Sequence, residues 1–162
     1  MREGGMMRRF IALLMSGIVT TMVAGTASAA PPIIERTGWD AFHISIPAGA
    51  VCDFGLEIDV RQRLTITTFV DADGDPIRGL TTGFVEVVFM NAETNEIVRQ
   101  AIPGPGFYDA DGTIVRGAGP WSGNVNLSGE LVTTWGNVTF GPDFTVLDVK
   151  GREEPVCGLL DA

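Results

Sequence analysis

Histidine and lysine are almost missing from this chain: among 162 residues there is one of each, His43 and Lys150, and Tyr108 is the single tyrosine. Those scarcities remove whole classes of chemistry. A zinc site built on several imidazoles cannot be assembled, and a Ser/His/Asp triad would have to use His43. The sequence contains no G-x-S-x-G elbow, no P-loop and no G-x-G-x-x-G fingerprint. In "WDAFHISI" (Trp39 to Ile46) strict alternation puts Asp40, Phe42, Ile44 and Ile46 on one face and Trp39, Ala41, His43 and Ser45 on the other, so His43 reads as a partly exposed strand residue.

Positive charge is scarce too. The chain has 11 Lys+Arg against 20 Asp+Glu, a net charge of −9. Arg2, Arg8, Arg9 and Glu3 all fall within the first 29 residues, so the remainder holds 8 against 19, or −11. Such a surface argues against nucleic acid or an anionic membrane as partner, because little is left to neutralise phosphates. It serves solubility instead.

The long apolar run stands at the start. Three arginines precede and flank "FIALLMSGIVTTMVAG", which ends at the small residues "ASA" (Ala27 to Ala29). This is the layout of a signal peptide, residues 1–29, cut after Ala29; a cut one residue later would put Pro31 behind the bond. The run is short and interrupted for a permanent span, and no cysteine near the cut offers a lipid anchor. The expectation is a secreted, extracellular protein with no membrane span after signal removal, an N-terminal tail at 30–38 and a single domain at 39–162.

Both cysteines, Cys52 and Cys157, lie in the exported part and predict one disulfide. Closing a loop of that length stabilises by roughly 4.7 kcal/mol through chain entropy. Three Trp and eight of the nine Phe lie in the exported part and supply material for a core.

Little else reads as helix. Gly and Pro recur every ten or so residues, with period-two or β-branched runs between them. "FGLEIDV" alternates Phe54, Leu56, Ile58 and Val60 inward against Glu57, Asp59 and Arg61. "LTITTFV" (Leu64 to Val70) follows, with "RQR" as either a tight turn or the bend of one long strand. "FVEVVFM" (Phe84 to Met90) reads as a strand covered on both faces, and "IVRQAI" as its return. At Gly136 the apolar phase changes, which predicts a bulge or bend. The fold class is all-β: an antiparallel β-sandwich or a closed β-barrel of about eight to ten short strands.

"DADGDPIRG" (Asp71 to Gly79) and "DADGTIVRG" (Asp109 to Gly117) share one skeleton. Asp71, Asp73 and Asp75 match the first three ligand positions of an EF-hand calcium loop, but Pro76 replaces the turn Gly and Thr82 the bidentate Glu. The second copy fails at Thr113, Ile114 and Pro120. Calcium at the first loop is the one cation reading, and no other cofactor is expected. Turn chemistry uses Asp71, Gly74, Asp109 and Gly112 directly, with Asp accepting local backbone hydrogen bonds and Gly supplying positive φ.

Glu86 interrupts the most apolar strand; it reads as facing water or pairing with Arg99. Tyr108, Trp121 and Trp135, with Phe107, form a candidate aromatic surface for a sugar or peptide. Asn126 and Asn137 head glycosylation sequons. The stretch "TNEIVRQAIPGPG", then "DADG" and "GAGPW", resembles small exported proteins of actinobacteria with turn, strand, GPG, DG and GPW in that order. It covers residues 94 to 121 and flanks, and departs at Glu96, where those proteins have a basic residue. The resemblance implies an exported β-domain and no particular activity.

Together these observations predict a secreted or surface-associated, non-catalytic binding module for a protein, glycan or small ligand. The alternatives are a glycan hydrolase using two carboxylates and a barrel-type carrier of a small apolar ligand.

Overall fold

A computed structural model describes residues 30–161; the expected signal peptide, residues 1–29, lies outside them. Nine strands follow in order: β1 (Ile33–Arg36), β2 (Asp40–Ile46), β3 (Leu56–Val70), β4 (Pro76–Asn91), β5 (Ile97–Ile102), β6 (Gly106–Tyr108), β7 (Ile114–Val125), β8 (Leu131–Phe140) and β9 (Val146–Pro155). A short helix, α1 (Val156–Leu160), ends the chain's ordered elements. The sheet runs β1-β3-β4-β6-β7-β8-β9, with β2 added to β3 and β5 to β4, and every strand pair is antiparallel.

The long β3–β4 hairpin organises everything else. Its register is unbroken from Leu56 opposite Asn91 to Phe69 opposite Arg78, so "RQR" lies inside one strand. β2 and β1 occupy successive stretches of β3, opposite Leu56–Gln62 and Thr65–Thr68, and β5 and β6 share β4 in the same way. Residues 33–36, read from sequence as tail, are therefore strand. The path begins at β1 and ends at β9 without joining, so the sheet stays open and folds over itself as a sandwich rather than closing into a barrel.

Alternation along β2 to β5 puts Ile44, Ile58, Phe89 and Val98 in one cross-strand row and Phe42, Val60, Val87 and Gln100 in the next. Leu56, Ile58, Val87, Phe89 and Ile102 of this inner face pack with Leu131, Val156 and Leu160 as the main core. A second cluster, Ile114, Val132, Val138, Phe140 and Val146, lies between β7, β8 and β9. Trp121 packs against both and meets Phe140 edge-on, with centroids 5.3 Å apart. Each fully buried Phe or Leu here contributes about 1.5–3 kcal/mol.

Five residues nucleate a helix poorly, and α1 has no side-chain cap. It is held by the Cys52–Cys157 disulfide and by the complete burial of Val156 and Leu160.

The phase change at Gly136 is a bend without a bulge. Register runs unbroken through it on both sides, while its φ is +124° and a Cβ there would strike the Lys150 carbonyl oxygen. The bulges fall instead at Ser122/Asn124 and Thr139/Phe140.

"FVEVVFM" is covered on one face only. Val87 and Phe89 are buried inward, but Phe84 is exposed and Glu86, Val88 and Met90 are half-buried on the outer face. There the side chains of neighbouring strands, not a second layer, provide the cover: Trp39 meets Phe84 edge-on, and the Arg61 and Arg63 guanidiniums lie over Trp39 at 4.3 and 5.0 Å.

Candidate functional site

The strands folded over the inner face of β2, β3 and β4 cover only part of it. What remains is a trough of about 390 Å³. Its floor is the inner face of β2, β3 and β4, including Phe42, Ile44, Val60 and Val85. Its far wall is Trp121 to Asn124 of β7, with Tyr108 and, from the β8–β9 turn, Phe144. The Asn124 amide donates to the Phe144 carbonyl at 3.3 Å and fixes that wall. Phe42 and Ile44 stay 44% and 42% exposed although they continue the rows that bury Val87 and Phe89.

Tyr108 is the one ionisable side chain among the residues lining the trough. In a chain this acidic, an uncharged lining selects neutral, apolar matter. Thr81 Oγ1, Trp121 Nε1 and Ser122 Oγ, all on lining residues, are enclosed without a hydrogen-bond partner. Trp121 owes its place to glycine: its indole lies where a Cβ on Gly117 would be.

The candidate aromatic surface divides. Tyr108 and Trp121 meet at the trough, whereas Trp135 does not line it. Trp135 lies opposite Arg152 of β9, whose guanidinium sits 4.0 Å over its ring. Phe107 is covered in the same way by Arg116, at 4.2 Å.

On the outer face His43 stands between two carboxylates. Its Nδ1 is 2.8 Å from Asp59 Oδ1 and its Nε2 2.8 Å from Glu57 Oε2, while the Ser45 hydroxyl donates to Glu57 Oε1. The Asp59 contact is a hydrogen bond and the Glu57 contact an ion pair of the protonated ring. The hydrogen bond that the ring donates to Asp59 leads in raising the His43 pKa above 6.5. Ser45 is bonded to Glu57 and not to His43, so no nucleophile–base pair forms here. Glu86 lies on this face, directly opposite Arg61 and diagonal to Arg99.

Both DADG loops are the same hairpin turn. In the first, Asp71 Oδ1 accepts the backbone N–H groups of Asp73 and Asp75, each at 2.9 Å, and Gly74 takes φ +92°. In the second, Thr113 N–H donates to Asp109 and Asp111, and Gly112 takes φ +85°. A hydrogen bond with Asp111 raises the Asp109 pKa, and one with Thr113 lowers that of Asp111. Asn126 heads a third copy, "NLSGE", accepting from Ser128 and Glu130 while its amide donates to Glu153 at 2.7 Å. Among the described residues no group of three or more His, Cys, Asp or Glu is arranged to hold a metal ion.

Compared with models of protein families, with curated proteins and with solved structures, the chain finds no match. Alternation in the sequence groups Phe42 and Ile44 on one face of β2, and the structure makes that the inner face, open at the trough. Alternation reports which side a residue faces, never whether the opposite layer reaches far enough to cover it.

Proposed function

We propose that this chain is an exported, non-catalytic binding domain whose ligand occupies the trough between β2 and β7. The observation that carries the reading is the continuous apolar inner face left open at Phe42 and Ile44, in a domain whose remaining surface is strongly acidic. Export is supported by the basic–apolar–small layout of residues 1–29 and by a disulfide suited to an oxidising compartment. The non-catalytic reading is supported by His43 being tied to Glu57 and Asp59 on the opposite face of the sheet from the trough.

The test is a fluorescence titration of the disulfide-intact chain with N-phenyl-1-naphthylamine, an apolar dye that brightens on leaving water. Saturable binding at one site is expected, weakened roughly tenfold or more by Phe42→Asp, which puts a charge in the trough at an exposed position. Absence of binding, or binding that Phe42→Asp and Ile44→Asp leave unchanged, overturns the proposal.

A further inference from the structure

The trough is bordered by backbone as well as by side chains. Among the described residues β2 pairs with β3 alone, so the N–H and C=O groups on the other edge of its seven residues have no strand partner there. β7 pairs with β6 only as far as Gly117; from Gly119 onward its sole strand partner among the described residues is β8. Free edges thus lie on both sides of an apolar trough, at β2 and at the second half of β7.

Edge strands invite pairing, and proteins blunt them with charge and proline. β9, another edge, follows that rule: Asp148, Lys150, Arg152, Glu153 and Glu154 stud it, and Pro155 ends it. β2 does not. Apart from Asp40 at its first position it carries only His43, whose ring is engaged with Glu57 and Asp59 across the outer face. Its inner side chains, Phe42 and Ile44, are apolar and exposed.

We propose that the occupant of the trough is an extended polypeptide segment, apolar at every second residue, that adds to β2 as a further strand. This rests on the reading of the trough as the binding site. A small apolar molecule would cover Phe42, Ile44 and Val60 but leave the β2 edge to water. A strand satisfies the edge amides and places alternate side chains in the trough in one step. The uncharged lining specifies neutral apolar residues at those inward positions. A segment matching β2 spans about 23 Å at strand rise.

The experiment selects displayed random peptides of about twelve residues against the full chain with its disulfide intact. Enrichment of sequences apolar at alternate positions is expected, with affinity falling roughly tenfold or more on Phe42→Asp or, if that variant melts early, Ile44→Asp. Backbone N-methylation of the best peptide then reads strand pairing directly. Methyl groups on one alternate set of amides should cost roughly tenfold, and on the other set little, because only every second N–H faces β2. Peptides that tolerate methylation at every position overturn the strand reading. So does a failure to enrich peptides while N-phenyl-1-naphthylamine still binds, which leaves the trough as a small-ligand site; failure of the dye as well removes the trough reading itself. A chain that sediments as a dimer and becomes monomeric on Phe42→Asp also overturns the proposal, by assigning the trough to a second copy.

Discussion

Replacing both members of the Cys52–Cys157 bridge by alanine should leave the domain barely stable. The two residues are 105 positions apart and their Cα atoms 5.5 Å apart, so the bridge closes β3 through β9 into one loop. Loop-closure entropy for that length gives roughly 4.7 kcal/mol, against a total of about 5–15 kcal/mol for a domain of this kind. The loss has a local part as well. Val156 and Leu160 are fully buried, yet α1 is five residues long and uncapped, so without the bridge its docking depends on those two side chains and on the Asn91 amide, which donates to the Leu160 carbonyl at 3.4 Å. With a urea slope of about 2 kcal/mol/M, a loss of about 4 kcal/mol moves the unfolding midpoint down by about 2 M. Urea melts of the oxidised protein and the double variant measure this shift, and amide exchange should show α1 losing protection first. Midpoints that agree within about 0.3 M would mean that burial alone docks the C-terminal helix and that the bridge adds little stability.

Three further outcomes are expected. Gly136→Ala should cost about 3 kcal/mol or more, since its φ of +124° disfavours a side chain and the new Cβ meets the Lys150 carbonyl; thermal melting checks it, and a variant as stable as the parent would show that the bend can relax. Asp71→Ala should cost about 1–2 kcal/mol by losing two backbone hydrogen bonds, while Asp71→Asn keeps most of the stability, because Asn126 does the same work in its own turn; chemical denaturation separates the two. His43 should titrate above 6.5 by NMR, and Asp59→Asn should bring it down. Because its folded pKa is raised, the stabilisation from its ion pairs is present below pH 6.5 and is lost as pH rises through the folded value.

Much of the fold was legible because this chain writes its turns in fixed letters. Asp followed three residues later by Gly marks the turns at Asp71 and Asp109, and the alternation in "WDAFHISI" and "FGLEIDV" separates the two faces of β2 and β3; the turn at Asn126, read only as a sequon, has the same skeleton. Strand lengths were less legible. "DPIRGLTTG" and "RGAGPWSGN" carry the same Gly and Pro that elsewhere end strands, yet they lie inside or at the start of β4 and β7. Their glycines answer to tertiary crowding: Gly117 makes room for Trp121, a demand set by a residue on the same strand seen only once the sheet has curled. α1 was invisible because disulfide and burial make it, not propensity. The trough was half legible. Phe42 and Ile44 were grouped on one face, but the reach of the covering layer depends on the bend at Gly136 and the bulge at Ser122/Asn124, neither of which alternation encodes.

The three tryptophans offer the most direct test of the trough as the binding site, because only Trp121 lines it while Trp39 and Trp135 lie under arginine side chains away from it. In a heteronuclear NMR titration with N-phenyl-1-naphthylamine, the Trp121 indole N–H resonance should shift with saturation while the other two stay in place. Movement of the Trp39 or Trp135 resonance with that of Trp121 unchanged would contradict it.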